Sequence, residues 1–160
     1  MKYEDFIVTS LGKGNVESPL KHSHREESPI YKFVKDDERI IYDTSLEYFL
    51  KSRESGEMPV SFEKAGPFEK LFFEPAKTKV AIVTCGGLCP GLNNVIRSLV
   101  NELFYRYNIS RIIGIKYGFE GLVSSYNHPV IELTAPMVSN IHLIGGSVLG
   151  SSRGNQDVEK

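Results

Sequence analysis

The stretch Val80–Arg97, VAIVTCGGLCPGLNNVIR, decides how this chain is read. Its first five residues, Val80 to Thr84, form a continuous apolar and β-branched run, the pattern of a strand buried on both faces in a parallel sheet. Cys85 to Gly91 (CGGLCPG) then breaks the run with three glycines and a proline. Beyond it, Leu92, Val95, Ile96, Leu99, Val100, Leu103, Phe104 and Tyr107 recur at i, i+3, i+4 spacing, which predicts a helix over 92–107. Arg111 to Ile115 (RIIGI) is again strand-like. Strand, tight turn, helix and strand make a βαβ crossover, and so an α/β fold.

Working outward, Pro129–Leu133 reads as a further strand. Ala135–Ile144 reads as a short helix with Met137, Ile141 and Ile144 inward. Gly145–Gly154 (GGSVLGSSRG) is a second glycine-rich loop. Upstream, Arg39–Tyr42 is a candidate strand, and Ser45–Arg53 a helix with Leu46, Phe49 and Leu50 on one face, closed by Gly56 and Pro59. Ser61–Glu74 is interrupted by Gly66 and Pro67. Its phenylalanines need cover, from the second half of the chain or from a partner subunit. Residues 1–30 are charged and rich in turn formers, which predicts an extended or poorly ordered segment. His22 and His24 within it are read as solvated, with no further ligand candidate nearby.

Charge marks a boundary. Of the 39 Lys, Arg, Asp and Glu residues, 27 precede residue 79. The expected organisation is a charged, loop-rich extension over 1–78 and an apolar α/β domain over 79–160, with the boundary near Pro75 to Lys79. A net charge of −1 argues against a nucleic-acid footprint. No apolar run approaches the roughly 18 residues that span a bilayer, and Met1–Phe6 does not read as a signal peptide. Two cysteines are too few for a disulfide framework or a zinc site. Cys85 and Cys89 are expected to be small packing residues in a reducing, cytoplasmic setting.

Chemistry concentrates in the two glycine-rich loops. A turn between a buried strand and a helix aims backbone N–H groups outward, and the helix dipole adds partial positive charge there. Gly86 and Gly87 carry no Cβ, so an oxyanion can approach the backbone; Pro90 suits a helix start. The spacing is neither G-x-G-x-x-G nor G-x-x-x-x-G-K-[ST], so neither a dinucleotide fingerprint nor a Walker loop is supported. The lack of an acidic residue about 20 positions on also counts against a nucleotide-binding oxidoreductase. In the second loop, Arg153 offers a planar fork of donors suited to phosphate oxygens. The competing reading of either loop is a structural turn. No nucleophile–base set assembles: His128 sits in a polar loop, His142 reads as a satisfied histidine in an apolar stretch, and Glu102, Glu120, Glu132, Asp157 and Glu159 fall in no metal or acid–base motif.

These pieces resemble the 6-phosphofructokinases. VAIVTCGGLCPGLNNVIR (Val80–Arg97), YGFEGL (Tyr117–Leu122) and GGSVLGSSRG (Gly145–Gly154) occur in that family's order and approximate spacing. The GGLCPGLN form resembles its plant-like branch, and Phe33–Asp43 and Phe62–Pro75 look like that branch's amino-terminal extension. The resemblance implies an incomplete Rossmann-like parallel sheet and transfer of a phosphoryl group to the 1-hydroxyl of fructose 6-phosphate. The donor would be ATP with Mg2+, or else pyrophosphate. It implies that Gly86 contacts the donor phosphates, that Arg153 and Gly154 form the next donor-binding pair, and that Phe119 lies beside the nucleotide base. It also implies a homo-oligomer for the complete enzyme. The family's GDG metal and phosphate loop, the TID segment with its catalytic aspartate and the sugar-phosphate arginines do not occur in these 160 residues. The 160-residue chain is therefore expected to be inactive alone, or to serve as a non-catalytic binding module.

Overall fold

A computed structural model describes residues 3–20 and 33–153. They fall into two compact units that divide after Phe72. His22 and His24 lie outside the described residues.

In the first unit, short β-branched and charged runs make two antiparallel ladders. Strand β1 (Val16–Glu17) is paired far along the chain, while β2 (Arg39–Ile41) leads into helix α1 (Leu46–Ser55) and returns as β3 (Ser61–Glu63). β3 pairs with β2, with Ile40 opposite Phe62. Strand β4 (Lys70–Leu71) closes the first ladder against β1. Helix α1 starts where Ser45 caps it, accepting from the Tyr48 N–H, and stops at Gly56 in the left-handed region. Its apolar positions Leu46, Phe49 and Leu50 are exposed. The helix is fixed by other means: Tyr48 Oη accepts from the Val60 N–H at 2.8 Å. Arg39 ties β2 to β3, donating to the Ser61 hydroxyl and carbonyl. The Phe62 ring meets Phe6 edge-on at 5.0 Å and lies 6.0 Å from Tyr42.

The second unit carries the βαβ crossover. Strand β5 (Lys79–Val83) leads into helix α2 (Leu92–Asn101), which ends in a turn of π-helix over Glu102–Arg106, and then strand β6 (Arg111–Ile115). β5 and β6 pair in parallel, Lys79 opposite Arg111 and Val83 opposite Ile115. Strand β7 (Ile131–Glu132) joins the other edge of β6, antiparallel, so the sheet is mixed with order β5-β6-β7. The reason lies in the connection. Residues 118–126 fold into two short 3-10 turns rather than a crossover helix, and only a crossover returns the chain parallel. Helix α3 (Ala135–Val138) is a single turn capped by Thr134, followed by a 3-10 turn over Ile141–Leu143.

One core results, formed by Ile82, Ile96, Val100, Ile109, Ile112, Leu133, Val138, Ile141 and Leu149. It lies on one side of the sheet. In β5, Ile82 is buried but Ala81 and Val83 are exposed, so the strand alternates instead of being covered on both faces. Helix α2 buries Asn93, Ile96 and Val100, spaced i, i+3, i+7, and leaves Val95 and Leu99 in solvent. The apolar stripe is wider than the surface it covers. Downstream, Val138 and Ile141 point inward whereas Met137 and Ile144 are exposed, because the chain leaves the helix after one turn. His142 is exposed, not satisfied within an apolar stretch, since the 3-10 turn aims it away from Ile141. Cys85 and Cys89 are also exposed rather than packed; both lie in the turn beyond the end of β5. Among the described residues no helix is long and apolar enough to cross a membrane.

Candidate functional site

The turn after β5 is where the chain stops burying side chains and presents backbone. Gly86 sits at φ 89° with nothing within 4 Å of the place a Cβ would take, so its Cα faces open space. Gly91, also at φ 89°, starts α2 with no side-chain cap. The first turn of α2 holds no acidic residue, so no negative side chain there competes for its N–H groups and dipole.

The second glycine-rich loop folds back onto this turn. Thr84 Oγ1 donates to the Gly150 carbonyl at 2.6 Å and lies 3.1 Å from Ser147 Oγ. The Gly86 N–H donates to the Ser152 carbonyl at 3.2 Å, and the Ser151 hydroxyl donates to the Gly86 carbonyl at 2.7 Å. Beyond these bonds the Arg153 guanidinium lies over Gly87: a Cβ built there would collide with Nη2 and come within 3.3 Å of Cζ. Arg153 is exposed, and no carboxylate pairs with it among the described residues. A cation therefore stands beside a side-chain-free backbone, in the turn that leads to the N-terminus of α2. This arrangement can bind an oxyanion.

Tyr117–Leu122 supplies the third wall. The Tyr117 N–H donates to the Leu149 carbonyl at 2.8 Å. A Cβ on Gly118 would stand 2.9 Å from the Ser152 N–H nitrogen, so only glycine admits the second loop this closely. Phe119 is half exposed on the following 3-10 turn. The three motifs quoted above thus meet at the carboxyl ends of β5 and β6, where open α/β sheets take ligands. Of the sequence-derived site residues, Gly86 and Arg153 are brought together on adjoining loops, Phe119 lies on the third segment, and Gly154 falls outside the described residues.

Several residues in this arrangement escaped the sequence reading. Asn93 is buried, with its Nδ2 donating to the Ile144 carbonyl at 2.8 Å and its Oδ1 accepting from the Val148 N–H at 2.9 Å. One amide thereby locks α2 to the second loop. The signal was an asparagine three residues before Ile96 on the helix face that turns inward. Thr84 and Ser147 gave no comparable signal. A cavity of about 230 Å³ opens at the first turn of α2, between Gly91 and Asn94 on one side and His142 and Gly146 on the other. Among the described residues no three His, Cys, Asp or Glu side chains group as a metal would require. Glu120 is engaged by His128, whose Nε2 is 2.6 Å from Oε1.

Comparison with known proteins places the chain in a family. The chain is 41% identical over 159 residues to an ATP-dependent 6-phosphofructokinase of Amycolatopsis methanolica, covering 98% of this chain and 34% of the relative. It is 57% identical over 107 residues to one from Entamoeba histolytica, covering 67% and 23%. It is 40% identical over 135 residues to ATP-dependent 6-phosphofructokinase 7 of Arabidopsis thaliana, covering 84% and 27%. The chain thus spans about a third or less of the length of these relatives. Residues 79–160, which hold both glycine-rich loops, match the phosphofructokinase family, and the chain belongs to that family.

Proposed function

We propose that Gly86, Gly87, the first turn of α2 and Arg153 hold the phosphates of a phosphoryl donor, with Gly154 beside Arg153 and Phe119 against a nucleotide base. The reaction served is transfer of a phosphoryl group to the 1-hydroxyl of fructose 6-phosphate, giving fructose 1,6-bisphosphate. The observation that carries this reading is the Arg153 guanidinium resting over Gly87. A lone glycine turn is a structural device; a glycine turn with an arginine fork above it that no carboxylate pairs among the described residues is a place for phosphate oxygens. ATP is the proposed donor rather than pyrophosphate, because the relatives that match over most of the chain are named ATP-dependent.

Phosphoryl transfer rests on positioning and charge neutralisation. The described residues contribute one cation, backbone N–H groups and hydroxyls to that task. Mg2+ needs oxygen ligands, usually with one or two carboxylates. The donor loops present none, and Glu120 is tied to His128. These residues do not by themselves fit a magnesium site. The 160-residue chain is accordingly proposed to bind the donor without turning it over.

Titration calorimetry tests the assignment. ATP, supplied with Mg2+, is added to the wild-type chain and to Arg153→Ala, and fructose 6-phosphate turnover is assayed in parallel. Binding of ATP by the wild type, its weakening in the variant and no turnover are expected. A folded wild-type chain that binds no ATP, or an Arg153→Ala chain that binds it equally well, overturns the reading.

A further inference from the structure

Glu120 and His128 form a contact outside the two donor loops. Glu120 lies in the 3-10 turn Gly118–Leu122, directly after Phe119. His128 lies beyond the next turn, in the loop that leads to β7. Their side chains are about three-quarters buried, and His128 Nε2 lies 2.6 Å from Glu120 Oε1. An ionised carboxylate only accepts, so Nε2 carries the hydrogen. Two aromatic rings lie against the imidazole. The Tyr117 ring is tilted over it with centroids 4.7 Å apart, and the Tyr126 ring is stacked parallel at 5.9 Å.

We propose that the Glu120–His128 pair is a positioning clasp that sets the face Phe119 presents to the nucleotide base, and so contributes to preference for a nucleotide over a bare polyphosphate. This rests on the donor assignment above. Phe119 is half exposed, so little packing of its own fixes its ring. Its backbone turn is the part that can be fixed, and the clasp ties that turn at the adjacent residue. The phosphate side has separate supports. Tyr117 is held through its N–H to Leu149, and its ring abuts Gly150, where a Cβ would stand 2.9 Å from Cδ1. The arginine loop is fixed by Thr84, Gly86 and Ser151. Loss of the clasp therefore loosens the base side, while the phosphate side, although the Tyr117 ring loses the imidazole beside it, keeps these backbone and hydroxyl bonds.

The test compares MgATP with inorganic tripolyphosphate, which offers phosphates but no base, on the wild-type chain, His128→Ala and His128→Gln. Glutamine places an N–H donor near the position of Nε2. His128→Ala should weaken MgATP binding about threefold to tenfold, the range for one hydrogen bond, with tripolyphosphate affinity unchanged. His128→Gln should recover most of the loss. An equal loss for both ligands, or none for MgATP, overturns the proposal. Hydrogen exchange of the amides of 118–122 supplies a readout that needs no ligand. Exchange should quicken in His128→Ala and slow again in His128→Gln; unchanged exchange overturns the clasp. If the wild type binds neither ligand while exchange responds as expected, the donor assignment and the base-positioning role fail together, and the clasp survives only as a contact.

Discussion

Arg153 occupies the space that a side chain on Gly87 would need. The two residues are far apart in sequence, yet neither position can change without consequence for the other. Gly87→Ala is the sharpest test of that relationship. Gly87 does not sit in the left-handed region, so alanine is tolerated by the backbone. Its methyl group would displace the guanidinium, which is exposed and free to move. Donor affinity should fall about as far as in Arg153→Ala, with stability changed by no more than about 0.5 kcal/mol. The double variant should bind no worse than either single one, since both remove the same contact. Additive losses by calorimetry would show that the glycine and the arginine act separately.

Arg153 itself should carry a large share of donor affinity. A hydrogen bond to a charged group is worth roughly 1.5–3 kcal/mol. Arg153→Ala should therefore cost on the order of 10- to 100-fold in the dissociation constant for MgATP. Arg153→Lys should recover part of it, because an ammonium cannot reproduce the fork. Arg106, exposed in the π-helical turn after α2, is the control, and Arg106→Ala should leave binding unchanged.

Asn93 tests how the second loop is anchored. Its amide satisfies the Ile144 carbonyl and the Val148 N–H. Asn93→Leu leaves both without that partner in a partly buried place, and should cost up to about 1–3 kcal/mol per group, less where solvent reaches it. Urea denaturation should show a lower midpoint with an unchanged slope. A wild-type midpoint would mean that the loop is anchored by Thr84 and Ser151 alone.

The uncovered apolar surface should show itself in solution. Val83, Val95, Leu99, Phe104 and Tyr105 are exposed in the second unit. Contiguous exposed apolar surface promotes association. The 160-residue chain should bind anilinonaphthalene sulfonate and self-associate on size-exclusion chromatography. Val95→Lys with Leu99→Lys should reduce both without lowering the unfolding midpoint. A monodisperse wild-type monomer that binds no dye and melts sharply would contradict this.

Hydrophobic periodicity is a local property, and what it governs was legible in the sequence. Val80–Thr84, the stripe that begins at Leu92, and Arg111–Ile115 place strand, helix and strand, and the parallel β5–β6 pair follows from the crossover between them. Ser45 before Leu46 marked the start of α1 in the same way. The glycines at 86 and 87 and the arginine at 153 marked two loops able to meet an oxyanion. Tertiary structure decided which half of the α2 stripe is covered, because that depends on how far a three-stranded sheet extends beneath the helix, not on the helix. It decided that β7 runs antiparallel, because the 118–126 segment coils into 3-10 turns and never crosses the sheet. It placed Cys85 and Cys89 in solvent and gave Asn93 its partners. Above all it set Arg153 over Gly87. Closing the chain between those residues costs conformational entropy that no nearby residue repays. The contact exists because Thr84, Gly86 and Ser151 bond across the gap, and such pairings belong to the folded chain alone.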